Sequence, residues 1–264
     1  MKLPLYQIDA FARRPFEGNP AAVCPLESWL DDATLQGIAN ENNLSETAYL
    51  VPEGDGYRLR WFTPAVEVAL CGHATLASGH YILNMLDRNR DAVAFETLSG
   101  TLMVGRDGDM LAMDFPAVVA IPGDAPGDVV AAVGGRPIEA LSVPRLHGAG
   151  YYMLVYGSQA EVESLAPDFS ALGRAGANVI ATARGDAHDF VSRFFAPASG
   201  INEDPVTGSA HCTLAPFWAT KLGKTRLAAR QVSPRGGDVR CTVNGERVEL
   251  AGHCVLYMTG EIAL

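Results

Sequence analysis

Three polar residues stand where a chain this apolar would not ordinarily place them. Glu46, in "NNLSETAYLV" (42–51), follows a helix-like segment and begins an otherwise apolar strand. An unpaired charge is costly there. A partly desolvated carboxylate beside a cleft would have a raised pKa and suit proton transfer; the plainer alternative is a solvent-facing glutamate at a loop–strand junction. His73 directly follows Gly72 in "VALCGHATLA", as a proton donor or orienting group, or as a ring that only caps a helix start. Asp204 precedes Pro205 in "NEDPVTGSAH" (202–211). Asp-Pro is a common turn element, but across a cleft from His73 this carboxylate could steer protons or grip an amine.

Gly72 and Gly208 each open a helix-like run. A helix start carries unpaired N–H groups and a partial positive charge, so it binds carboxylate or phosphate. Glycine there lets a ligand approach the backbone. Each glycine alone is an ordinary turn; as a matched pair, with Thr207 and Ser209 beside the second, they suit an anionic small molecule. Cys71-x-His73 and His211-Cys212 sit at the same two helix starts, yet no C-x-x-C or H-E-x-x-H spacing supports them, and no metal is expected. No G-x-x-x-x-G-K-S/T, G-x-G-x-x-G or G-x-S-x-G stretch occurs, so no nucleotide cofactor or serine elbow is expected. A cofactor-free acid–base enzyme is left, beside a protein that only binds a metabolite.

The elements that would position these groups occur twice. Residues 57–83 pair with 190–223: Arg60-Trp61-Phe62-Thr63-Pro64 lies over Arg193-Phe194-Phe195-Ala196-Pro197. After a three-residue insertion in the second copy, Gly72-His73-Ala74 lies over Gly208-Ser209-Ala210. Such self-similarity indicates a duplicated unit, with chance and shared propensity as the plainer explanation. Asp107-Gly108 and Asn244-Gly245 signal hairpins in corresponding places. An early helix is expected over 31–43, capped by Asp31 or Asp32, with a counterpart over 158–172 that Pro167 interrupts. Central helices are expected over 74–86 and 209–222, with Pro216 allowing a kink or a late start in the second. The join falls in the Pro/Gly/Ala-rich stretch 115–128. The expected fold class is α+β, with two pseudo-symmetric halves around a cleft: 1–118, with the chain's last strand as a candidate addition, and 124–264.

Bulk properties exclude several classes of function. The 264 residues are 48% apolar and carry a formal charge of -10 with no basic block, so no nucleic acid partner is expected. No apolar run approaches the length of a membrane span, and the first residues lack a signal-peptide apolar region. The five cysteines, Cys24, Cys71, Cys212, Cys241 and Cys254, form no spaced framework. Reduced thiols and a cytoplasmic location are expected.

Four segments together resemble the PhzF-like family of phenazine-biosynthesis isomerases, relatives of diaminopimelate epimerase. They are "DAFARRPFEGNPAAVC" (9–24), "NLSETAYL" (43–50), "RWFTPAVEVALCGHATLASG" (60–79) and "NEDPVTGSAHCTLAPFW" (202–218). The resemblance implies a diaminopimelate-epimerase-like fold, in which two related domains each wrap a mixed sheet around a central helix with the active site between them. It implies Glu46 as catalytic acid/base, His73 and Asp204 as polar partners, and Gly72, Gly208 and Ser209 as groups that hold the substrate. It also implies a homodimer and isomerisation without a cofactor, for which a dihydro-hydroxyanthranilate is the best-understood substrate. The epimerase relatives use two thiols. Here Cys71 stands at the first position but Thr207 at the second, and a hydroxyl is a far weaker acid than a thiol, which disfavours two-thiol racemisation. The phenazine isomerase itself differs around both stretches, so the resemblance implies the family's chemistry rather than that enzyme's substrate. The expectation is an isomerase of a small carboxylate-bearing metabolite, with a racemase or epimerase using Glu46 or Cys71, or a non-catalytic binder, as the alternatives.

Overall fold

The computed structural model describes residues 1–144 and 150–264. Its contacts divide the chain into two units, Met1–Asp114 with Ala251–Leu264, and Phe115–Leu250.

The first unit contains β1 (Lys2–Ala10), β2 (Asn19–Pro25), α1 (Asp32–Asn42), β3 (Glu46–Glu53), β4 (Gly56–Phe62), β5 (Glu67–Val68), α2 (Gly72–His80), β6 (Ala92–Thr97), β7 (Gly100–Asp107) and β8 (Met110–Pro116, whose last two residues fall in the second unit). β1 pairs antiparallel with β2, β2 parallel with β3, β3 antiparallel with β4 and β4 parallel with β6. β7 and β8 continue the sheet antiparallel, and the chain's last strand, Cys254–Ala263, returns to flank β1. This mixed sheet curls around α2, which touches β1, β2, β3, β7 and the last strand. The sequence of α2, "GHATLASGH", shows why it fits: small residues on every side let strands close in, and His73 through Gly79 are all buried. A helix apolar all round belongs in an interior. On the sheet's other face α1 packs Leu35 and Ile38 against Cys24, Tyr49 and Phe62.

The second unit contains β9 (Ile121–Pro122), α3 (Gly127–Val133), β10 (Glu139–Ser142), β11 (Gly150–Val155), α4 (Gln159–Ser164), α5 (Phe169–Arg174), β12 (Ala177–Arg184), β13 (Phe190–Ala196), β14 (Ile201–Asp204), α6 (Gly208–Leu222), β15 (Arg226–Gln231), β16 (Gly237–Asn244) and β17 (Arg247–Gly252, whose last two residues fall in the first unit). Its ladder repeats the first: β10–β11 antiparallel, β11–β12 parallel, β12–β13 antiparallel, β13–β15 parallel and β15–β16 antiparallel. β13 is buried along its whole length, as expected of a strand covered on both faces. The copies agree in register as well. Phe62 pairs with Glu67 and Phe195 pairs with Glu203. In each copy the arginine two residues before the phenylalanine grips that glutamate: Arg60 Nε and an Nη lie 2.7 Å from the two Glu67 oxygens, and Arg193 lies 2.7 and 2.8 Å from those of Glu203. The fold is α+β and duplicated, as the sequence implies.

Several local expectations are sharpened. Asp31 is the cap of α1, accepting from the Thr34 N–H at 2.9 Å. Pro167 splits 158–172 into α4 and α5, each with its own side-chain cap, Ser158 and Asp168. The central helices begin at the glycines themselves. The first passes into a π turn over Tyr81–Leu86, closed by the Asp87 N–H on the Ile82 carbonyl at 2.7 Å. Pro216 corrects the expected late start, because α6 runs through it. Proline removes the N–H that would bond the carbonyl four residues earlier. That carbonyl, of Cys212, instead accepts the Val118 N–H at 3.0 Å.

Candidate active site

In the first unit three chain segments converge on one imidazole. Glu46 opens β3, Asn19 opens β2, and His73 is the second residue of α2. His73 Nε2 lies 3.2 Å from Glu46 Oε2. Its Nδ1 lies 3.2 Å from Asn19 Nδ2 and 3.6 Å from Cys71 Sγ. Asn19 is fully buried, His73 is 5% exposed and the Glu46 side chain 12%. The amide nitrogen of Asn19 can only donate, so Nδ1 accepts and the ring proton resides on Nε2, the nitrogen nearer the carboxylate.

Burial lowers the His73 pKa to about 3, and His80 and His211 to about 4. These rings stay neutral in the folded chain while the unfolded chain takes up protons below its ordinary value of about 6.5. Their stability contribution is therefore full above about pH 6.5 and is lost as pH falls toward the folded values. Each such histidine costs on the order of 1.4 kcal/mol per pH unit within that window. Urea midpoints should fall steeply between pH 7 and pH 5, and nitrogen-resolved NMR should find the His73 ring untitrated over the same range.

Asn19 owes its position to Gly18, whose φ is +66°. A Cβ there would sit 2.1 Å from the Ala10 carbonyl oxygen. Gly18→Ala combines a left-handed backbone with a backbone clash, so it should cost more than the about 1 kcal/mol of the φ penalty alone. Thermal denaturation measures this.

In the second unit Asp204 ends β14, and Thr207 precedes α6. Thr207 Oγ1 donates to Asp204 Oδ2 at 2.5 Å. Gln231, buried at the end of β15, ties the pair down. Its Oε1 accepts the Thr207 N–H at 2.9 Å, and its Nε2 donates to the Asp204 carbonyl at 2.7 Å and to Thr207 Oγ1 at 3.2 Å. Cys71 and Thr207 are structural equivalents: both precede the glycine of a central helix, both are extended, and neither side chain caps its helix. The N–H groups of Gly72 and His73, and of Gly208 and Ser209, lie in first helical turns, where they have no intrahelical acceptor. Ser209 is exposed among buried neighbours. His211 and Cys212, by contrast, turn back onto their own helix, toward the carbonyls of Thr207 (2.8 Å) and Gly208 (3.5 Å).

Against this geometry, the family model for phenazine biosynthesis-like proteins matches residues 8–260. The chain belongs to the PhzF-like family. This PhzF-like chain is 51% identical, over the full length of both, to an uncharacterized isomerase of Pseudomonas aeruginosa. Its backbone matches the crystal structure of a PhzF-family phenazine biosynthesis protein from Enterococcus faecalis with a TM-score of 0.93 and 45% identity, covering all of both chains. A predicted epimerase from Pseudomonas aeruginosa shares the fold, with a TM-score of 0.72 and 22% identity over 99% of each chain. Two positioning groups escaped the sequence reading of the PhzF-like chain. Asn19 lies within one of the four segments that carry the resemblance, but its burial arises from strand pairing and has no local signal. Gln231 has no local signal, since its role arises from the pairing of β15 with β13.

Proposed function

We propose that the protein is a cofactor-independent isomerase that moves a proton within a small carboxylate-bearing metabolite, with Glu46 as general base and then general acid. The observation that carries this reading is the approach of a neutral, buried His73 to Glu46 at 3.2 Å. The isomerase name of a relative 51% identical over its whole length supports it. In this reading His73 positions Glu46 until it takes a proton from one carbon. The resulting acid returns the proton to another carbon of the same delocalised system. Asp204, fixed by Thr207 and Gln231, receives the second polar role, gripping an amine or relaying a proton. The helix-start N–H groups at Gly72 in the first unit, and those at Gly208 and Ser209 with Thr207 beside them in the second, are each suited to hold a substrate carboxylate.

A racemase or epimerase is the second reading, favoured by the Cys71 thiol 3.6 Å from His73 Nδ1 as a further proton carrier. Cyclic and amino carboxylates that raise the melting temperature should be incubated with the protein in deuterated water. Isomerisation places deuterium in a rearranged product, whereas racemisation places it at the α-carbon of both enantiomers. Binding without incorporation in any ligand would leave a metabolite-binding protein.

The protein is further proposed to act in the cytoplasm as a homodimer. Among the described residues no helix is long and apolar enough to cross a membrane. The dimer reading is supported by the exposed Leu256, Tyr257 and Met258 of the last strand, with Phe16 lying edge-on to Tyr257. Light scattering tests it.

A further inference from the structure

We propose that Glu46, Cys71 and His73 form a three-donor site for a thiophilic divalent cation of the zinc type, and that the bound ion inhibits the protein by taking its base. One carboxylate oxygen, one thiol sulfur and one ring nitrogen from these residues lie within 4.8 Å of one another. Zinc–ligand lengths of about 2.0–2.3 Å place tetrahedral nitrogen and oxygen donors about 3.3 Å apart, and sulfur and nitrogen donors about 3.6 Å apart. His73 Nε2 and Glu46 Oε2 already stand 3.2 Å apart, so an ion between them needs the thiol to swing inward and the ring proton to move to Nδ1. A mixed sulfur, nitrogen and oxygen set suits zinc or cobalt over magnesium or calcium. Three protein donors leave a fourth position for water. Spacing of Cys71 and His73 alone gave no support for a metal; the third donor comes from β3, which the chain order hides.

Two structural details constrain the site. A histidine binds a metal as the neutral ring. Its proton, however, rests on Nε2 because Asn19 donates to Nδ1. Binding through Nε2 requires the proton at Nδ1, hence a half-turn of the Asn19 amide so that Oδ1 accepts it. The Cys71 thiol gives its proton to solvent, Glu46 binds as the carboxylate and the ring keeps one proton. Asn19→Asp, which supplies the acceptor permanently, should therefore tighten metal binding by about tenfold, the scale of outer partners on a ligating histidine. His211 Nδ1 and the Cys212 thiol face the backbone carbonyls of Thr207 and Gly208.

Cobalt titration of the full chain tests the proposal. The expected result is one bound ion with a sulfur-to-cobalt charge-transfer band, displaced by zinc. The band should vanish in Cys71→Ala, with affinity down by about 100-fold, and persist in Cys212→Ala. No band in the wild type, or a band retained in Cys71→Ala, overturns the site. Should Cys71→Ala lose its fold by circular dichroism, Glu46→Gln and Asn19→Asp decide: affinity must fall in the first and rise in the second, and equal affinity in both overturns it. Binding stands apart from the isomerase reading, on which only the inhibition rests. Cobalt capture by a chain that exchanges no substrate proton upholds the site and sinks that reading. Proton exchange that saturating zinc fails to stop overturns the inhibitory role.

Discussion

Glu46→Gln reduces turnover by at least two to four orders of magnitude, the range that a positioned acid or base supplies. The substitution keeps the side chain's size and polarity but removes the basicity. Stability should stay within about 1 kcal/mol of wild type, and ligands found by thermal shift should still raise the melting temperature. Glu46→Asp retains basicity but withdraws the carboxylate by one methylene. Misplacement of about 1 Å costs on the order of 100-fold, so this variant should fall between wild type and Glu46→Gln. Equal activity in Glu46→Asp and Glu46→Gln would place the effect in packing rather than proton transfer.

Arg193→Met destabilises the fold by about 3–5 kcal/mol, the loss typical when one member of a buried ion pair is removed. The Arg193 side chain is 10% exposed and its partner Glu203 12%. Beyond the paired hydrogen bonds to Glu203, its Nη1 donates to the carbonyls of Val162, Glu163 and Leu165, and its guanidinium lies over the Phe195 ring. All of these acceptors lose the guanidinium at once, and the Val162 carbonyl keeps only the long bond from the Leu165 N–H at 3.4 Å. The duplicated counterpart provides the control. Arg60 is 20% exposed, pairs with Glu67 at 26% and reaches the largely exposed Asp32. Water can replace much of what it gives, so Arg60→Met should cost about 1–2 kcal/mol. Urea denaturation of both variants measures the contrast. Replacing both partners, as in Arg193→Met with Glu203→Leu, should recover much of the loss, because no charge is then left buried alone.

The contrast shows what the sequence carries and what it does not. Arg60-Trp61-Phe62 and Arg193-Phe194-Phe195 align by eye, and the duplicated strand order follows because each copy repeats the same alternation, glycine and proline. Glu46 was legible as a charge at the head of an apolar strand, and His73 as its partner through the family motif. The depth difference between the two arginines was not legible, since it depends on α4 covering one pair. At Pro216 local chemistry allows a kink or a late start; the late start does not occur, and the freed Cys212 carbonyl finds Val118 far away in sequence. Asn19 and Gln231 act through strand pairings that bring distant residues together, so their types announce nothing locally.

Proton NMR of a ligand carboxylate in deuterated water, with wild type and Glu46→Gln side by side, tests the central claim most directly. Deuterium should enter a single new position of a rearranged product with wild type, and nowhere with Glu46→Gln. Equal incorporation by the two proteins would contradict Glu46 as the acid and base of this chain.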